Sequence, residues 1–367
     1  MIALSKIKNL INIKNLIILS LTAASFKLLE QLIKGKYFHD FEVYFETIKT
    51  LNNAGNPYIN SLDLPYLYPP LISSILSTFN NEIFSFIYIS IYITLIFLLY
   101  FLSNKKFRIS FLISIGISGI LIKSLLTGNI SNIFYILLIF SVIYYSKYKN
   151  FLPFYTCVFF ISLIKFNFII LFLLPILINK NLKKELINFI ICVSSIFLIY
   201  FYQYKFINTE FINFFEILRS SNSTDYGSSL FSFLNYRLNL GIHLSILIHS
   251  SLFIFLIGFV LLNKNKIDFN LYLLLILILL IFSNPRLKLY DVAFGVVLLN
   301  TAILYFSKTI ILNFYTFNLV LIFIFKLISK NFELHLENPK MLSWYIFILF
   351  IFYFLKKYFN LRLIKPN

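Results

Sequence analysis

The sequence predicts an all-α membrane protein, a polytopic helical bundle of about twelve crossings that forms a single integral membrane domain over residues 1–367. Three observations carry this. Of 367 residues, 60% are hydrophobic and only 13% are charged, about half the charged share of a soluble domain, which excludes a water-soluble globule. Apolar windows long enough to approach a hydrocarbon core of ~30 Å recur along the chain. Lys and Arg gather in alternate connections, as in a chain that crosses a bilayer repeatedly.

In the first window, residues 12–29, the apolar run Leu16 to Phe26 follows Lys6, Lys8 and Lys14 and contains Ala23 and Ala24. It shares features with a signal peptide, but the many spans after it favour an uncleaved first helix. Further windows fall at 83–103, 109–126, 130–146, 186–202, 243–262, 268–283, 292–307, 310–328 and 343–356, making ten plain spans. Residues 151–178 are long for one span and short for two, with Lys165 and Asn167 mid-way and Pro175 near the end. A helical hairpin that dips across and returns brings Lys180, Lys183 and Lys184 back beside Lys147 and Lys149.

With that hairpin both ends of the chain lie on one side. Eighteen of the 32 Lys and Arg fall there against only Glu185 and Asp268, an excess of +16 within the net +18. The other face keeps 14 basic and 12 acidic residues. Positive-inside therefore predicts a multi-pass protein of the cell membrane with both termini cytoplasmic, and the charge needs no nucleic acid partner. Carboxylate chemistry is then expected on the exoplasmic face, where two long loops stand out, residues 30–82 and 203–242.

Several function classes find no support. Cys157 and Cys192 sit in apolar runs without CxxC, and His39, His243, His249 and His335 form no HExxH, so no metal site is expected. His243 and His249 are six apart and do not share a helical face. The nine glycines form neither a phosphate-cradling loop nor a dinucleotide fingerprint, so no cofactor is expected.

In the first exoplasmic loop, Asp40 to Tyr58 reads as a short amphipathic helix. Phe41, Tyr44, Phe45, Ile48 and Leu51 share one face, with Glu42, Glu46 and Lys49 on the other. Such a helix is expected to lie on the outer membrane surface, apolar face down. Asp40 has two readings, a helix N-cap or a carboxylate held at the membrane surface as a general base. After it, Tyr66 to Leu71 (YLYPPL) leads through two prolines toward the next span.

An aspartate soon after the first span, a short aromatic-rich helix, then Gly-Asn-Pro-Tyr (Gly55 to Tyr58) and Tyr-Pro-Pro-Leu (Tyr68 to Leu71) before the second span resemble the GT87 family. These are polyprenyl-phosphate-sugar-dependent membrane mannosyltransferases with the GT-C fold. LLTGNISNIFYILL, Leu125 to Leu138, is similar to the family's glycine-glutamine-x-asparagine stretch, with Asn129 where glutamine is usual. Lys165 in ISLIKFN matches a lysine of the short-helix pair, without the proline that often follows it. SNPRLKLYD, Ser283 to Asp291, resembles a late Pro-Arg-x-Lys-x-Tyr-Asp segment. The ordered set covers about residues 10 to 300.

The resemblance implies a GT-C-type bundle, Asp40 as catalytic base, a polyprenyl-phosphate sugar as donor and a glycan or glycolipid as acceptor. Charge for the donor phosphate is expected from Lys165, Arg286 and Lys288, with Arg219, Arg237 and Tyr290 as further candidates. Three of only five arginines are exoplasmic. An ionisable Lys165 amid apolar residues is expected to face a cavity, with snorkelling to a headgroup as its other reading. Arg286 and Lys288 have a local ion pair with Asp291 as theirs. Arg219 and Arg237 bracket the polar run SSNSTDYGSS, either a cover for substrate or a solvated connector. A lipid-linked-saccharide flippase and a polysaccharide polymerase or ligase are the rival readings. The first would need polar groups spread through the spans, and the second would rely on Arg219 and Arg237.

Overall fold

A computed structural model describes residues 13–34, 38–59, 66–116, 126–224 and 229–305. The expected spans at 310–328 and 343–356 lie outside the described residues, as do Lys6, Lys8 and the basic C-terminal tail. Among the described residues every regular element is helical. Three helices are long and apolar enough to cross a membrane: α4 (Asn81–Leu102), α9 (Leu182–Phe206) and α11 (Ile242–Leu262). Their outward faces carry large exposed apolar side chains such as Phe86, Leu198 and Ile254, a surface suited to lipid and not to water.

The remaining elements in chain order are α1 (Ile13–Ile33), α2 (His39–Asn52), α3 (Pro70–Leu76), α5 (Lys105–Gly116), α6 (Ser131–Tyr148), α7 (Leu152–Ile164), α8 (Leu173–Ile178), α10 (Asn208–Thr224), α12 (Phe269–Phe282) and α13 (Leu289–Ile303). Side-chain caps set several starts. Asn80 accepts from the Ile83 N–H before α4, Asn181 from that of Lys184 before α9, and Asp268 from those of Asn270 and Leu271 before α12. α12 is apolar all round, and every residue from Leu271 to Phe282 except the partly buried Leu274 is buried. It is the central post of the bundle.

The 151–178 segment forms the expected hairpin. α7 ends at Lys165, whose backbone turns extended (φ −136°, ψ 97°), and the chain resumes as a 3₁₀ helix over Phe166–Phe172 before α8. The legs return to one level. Tyr155, near the start of α7, stacks on Phe172 and donates from its hydroxyl to Glu185 Oε2 (2.7 Å) at the start of α9. Asn179 Nδ2 donates to the other oxygen of that buried carboxylate (2.6 Å). At the tip, Phe166 packs on Phe197 and Tyr200 near the far end of α9.

α12 runs alongside from base to tip, with Tyr272 bonded to the Leu177 carbonyl (2.6 Å) at one end and Asn284 bonded to Asn167 (3.1 Å) at the other. α13 returns from Asp291, and at the base the Lys106 ammonium sits 3.4 Å from the centre of the Tyr305 ring that follows it. The bundle therefore has two chemically distinct ends. Lys106, Lys147, Lys149, Lys180, Lys184 and Lys264 mark one. The other gathers the ends of α1, α6, the hairpin, α12 and α13 that carry the residues of interest.

Two expectations differ from the structure. The apolar face of α2 packs into protein, with Phe41, Tyr44 and Ile48 buried against Phe84 and Tyr88 of α4. Helical periodicity marks a face that must leave water but does not name the solvent that receives it. Much of the 203–242 segment is helix: α9 extends to Phe206, α10 follows, and Phe231 and Leu234 bury the short helical turns after Ser229.

Glu185 gives a direct test of the hairpin base. Tyr155→Phe removes a donor from a buried carboxylate, with an expected loss of about 1–3 kcal/mol. Thermal unfolding of the purified protein in detergent measures it.

Candidate functional site

Asp40 stands in the first turn of α2. The N-cap position belongs to Phe38, in left-handed conformation (φ 50°) with no side-chain cap, so the N-cap reading of Asp40 does not hold. Its carboxylate instead accepts a 2.5 Å hydrogen bond at Oδ2 from Asn129 Nδ2, 89 residues away. The carboxylate is half-buried, and Asn129 is almost fully buried.

A network of phenols holds Asn129 in turn. Asn129 Nδ2 also reaches the Tyr68 hydroxyl (3.1 Å), which meets the Tyr44 hydroxyl (3.1 Å), and the latter accepts from the Ile130 N–H (3.2 Å). Tyr88 donates to the Asn129 carbonyl (2.9 Å), and Tyr58 to the Tyr68 carbonyl (2.7 Å). Burial pushes the Tyr44 phenol well above its usual range, with the neighbouring Tyr68 and Asp40 adding to the shift. The Tyr44 hydroxyl therefore stays neutral at physiological pH and serves as a fixed hydrogen-bonding post.

Gly128 makes the approach possible. Its φ is +73°, and a Cβ there would stand 2.8 Å from the Phe41 ring. Only glycine lets the backbone turn tightly enough for Asn129 to face Asp40 while Phe38 and Phe41 stack over it.

The second half of the site comes from the hairpin tip and the SNPRLKLYD turn. Lys165 Nζ lies 3.6 Å from Asp291 Oδ1, with Asp291 buried and the Lys165 side chain 16% exposed. Asp291 Oδ2 accepts from the Lys288 N–H (2.9 Å), a carboxylate closing back on the start of α13. Asn167 Nδ2 bonds Asn284 Oδ1 (3.1 Å) and the Arg286 carbonyl (3.3 Å). Ser229 Oγ donates to the Pro285 carbonyl, and His249 Nε2 meets that of Ser283 (2.9 Å). The turn is thus tied to three other segments, and Arg286 is carried on a fixed backbone.

The two halves meet electrostatically. Asp291 and Asp40 attract the Lys165 ammonium, while Arg286 and Lys288 repel it. Asp40, Lys165, Arg286 and Lys288 therefore share one neighbourhood, although 251 residues separate Asp40 from Asp291. The carboxylate of Asp291 is turned toward Lys165 and its own helix start, and the expected local pair with Arg286 or Lys288 is not its bonded arrangement.

Arg219 is exposed on α10. Arg237 ends a short π-helical turn, and Tyr290 lies in the first turn of α13; the side chains of both lie outside the described residues. Asn129, Tyr68, Asn167 and Asp291 join the site without having been named for it. Each lay in a stretch the sequence had marked: Asn129 in the glycine-asparagine stretch, Tyr68 in Tyr-Pro-Pro-Leu, Asn167 beside Lys165 and Asp291 at the end of SNPRLKLYD. Among the described residues no three His, Cys, Asp or Glu side chains come together in a way that could hold a metal ion.

No protein-family model, curated protein or solved structure matches the chain.

Gly128 tests the architecture of the first half. Gly128→Ala forces a left-handed Cβ against Phe41, and a loss of about 1–3 kcal/mol is expected in thermal unfolding.

Proposed function

We propose that this protein is a multi-pass membrane glycosyltransferase. It moves a hexose, mannose by the resemblance, from a polyprenyl-phosphate sugar to a hydroxyl of a glycan or glycolipid. The bundle makes about twelve crossings in the GT-C manner, with both termini cytoplasmic and the Asp40 end exoplasmic. One observation carries the reading: Asp40 shares its electrostatic surroundings with Lys165, Arg286 and Lys288. It supports reading Asp40 as a carboxylate base beside a set of cations suited to a phosphate.

The charges suit the chemistry. Asp40 takes the proton of the acceptor hydroxyl as its oxygen attacks the anomeric carbon. The bond from that carbon to the phosphate oxygen breaks, and its electron pair leaves with the polyprenyl phosphate from the opposite face, inverting the centre. The donor diester carries about one negative charge, and the departing monoester about 1.5–2. Lys165, Arg286 and Lys288 against Asp40 and Asp291 give the site one net positive charge, which becomes two once Asp40 is protonated. The protein's charge thus rises in step with that of the leaving group, so fixed cations stabilise the transition state more than the ground state.

The flippase reading would need ionisable groups along a path through the bundle. Among the described residues the apolar helices α4, α9, α11 and α12 carry Asp, Glu, Lys and Arg only near their ends, if at all.

Asp40→Asn keeps the Asn129 contact in size and removes the base. Transfer from a radiolabelled polyprenyl-phosphate sugar should fall by about 10²–10⁴-fold with folding intact; normal turnover would end the general-base assignment. Orientation is tested at Ile59, which is 72% exposed. A cysteine there should react with a membrane-impermeant maleimide on intact cells, and protection until lysis would reverse the topology.

A further inference from the structure

The Lys165–Asp291 pair is unusual for a buried contact. Asp291 Oδ2 is committed to the Lys288 N–H, while Oδ1 lies 3.6 Å from Lys165 Nζ, within ion-pair range but longer than an ordinary charge-assisted hydrogen bond. A buried pair of this kind recovers little of its desolvation cost, so separating it for a better partner is cheap. The surroundings favour exchange. Arg286 and Lys288 repel Lys165, and the buried carboxamide of Asn284, two residues before Arg286, carries an Nδ2 donor without a partner.

We infer that Asp291 is the resting counter-ion of Lys165 and that the donor phosphate displaces it. The inference rests on the proposed donor site and adds its control. A phosphate oxygen can approach the ammonium at ordinary charge-assisted hydrogen-bond distance, which the helix-anchored carboxylate does not reach. Asp291 stays behind on its cap bond to Lys288. When the polyprenyl phosphate departs, Asp291 recaptures Lys165, so the cation never stands uncompensated and the more highly charged product is not trapped. Asp291 is a positioning residue in this account, acting through Lys165.

The test measures undecaprenyl phosphate binding to the full-length protein in phosphatidylcholine nanodiscs. Asp291→Asn keeps an acceptor for the Lys288 N–H and removes the charge, and it should bind about tenfold tighter than wild type. Lys165→Met should bind at least tenfold weaker, and adding Asp291→Asn to it should restore nothing. In turnover, Asp291→Asn should lower KM for the donor and kcat together, since product leaves slowly. Asp291→Ser is the second charge-removing variant should the first not fold. Unchanged or weaker binding by a folded Asp291 variant, or tightening that survives loss of Lys165, would overturn the inference and leave the transferase reading standing. Wild-type protein that binds no lipid phosphate would remove the donor site and the inference together.

Discussion

A charged side chain at the tip of an apolar hairpin must be paired, and the architecture around Lys165 follows from that constraint. Left alone among apolar groups, an ammonium is costly. The helix that carries it stops there, with its backbone extended. α13 begins where its first turn can offer Asp291, and Asn167 ties the hairpin to Asn284 on the adjoining turn. α12, buried over most of its length, lifts that turn to the level of the tip. One ionic requirement thus fixes where three helices end and brings Arg286 and Lys288 beside Lys165.

The first loop answers a different requirement. Asp40 needs a hydrogen-bonded setting, and a layer of neutral phenols supplies it through Asn129. Rigid aromatic packing by Phe41, Tyr44, Phe84 and Tyr88 holds the layer. One half of the site is organised by hydrogen bonds between uncharged groups and the other by opposed charges, and Asp40 joins them through its field at Lys165.

Much of this was legible in the sequence where the physics is local or periodic. Lys165 and Asn167 inside an otherwise apolar run mark a hairpin tip, because no single span tolerates them mid-membrane. The Lys-rich connections foreshadow the lysine-marked end of the bundle. The pairings were not legible, because they are distant in the chain: Asp40 with Asn129, Asn129 with Tyr68, and Lys165 with Asp291. Asp291 looked like a partner for Arg286 and Lys288 by proximity in sequence. Helix geometry turns its carboxylate back to the Lys288 N–H and across to the hairpin instead. Asp40 fits an N-cap by residue type, yet the left-handed turn at Phe38 starts α2 two residues earlier.

The central claim is that Asp40 and the Lys165 cluster form one site around a lipid phosphate. Its most direct measurement is an experimental structure of the protein in a lipid nanodisc with undecaprenyl phosphate bound. The account predicts the phosphate in contact with Lys165, on the side toward Arg286, with Asp40 about one sugar ring away. A phosphate bound at the opposite, lysine-rich end, or remote from both Asp40 and Lys165, would contradict it.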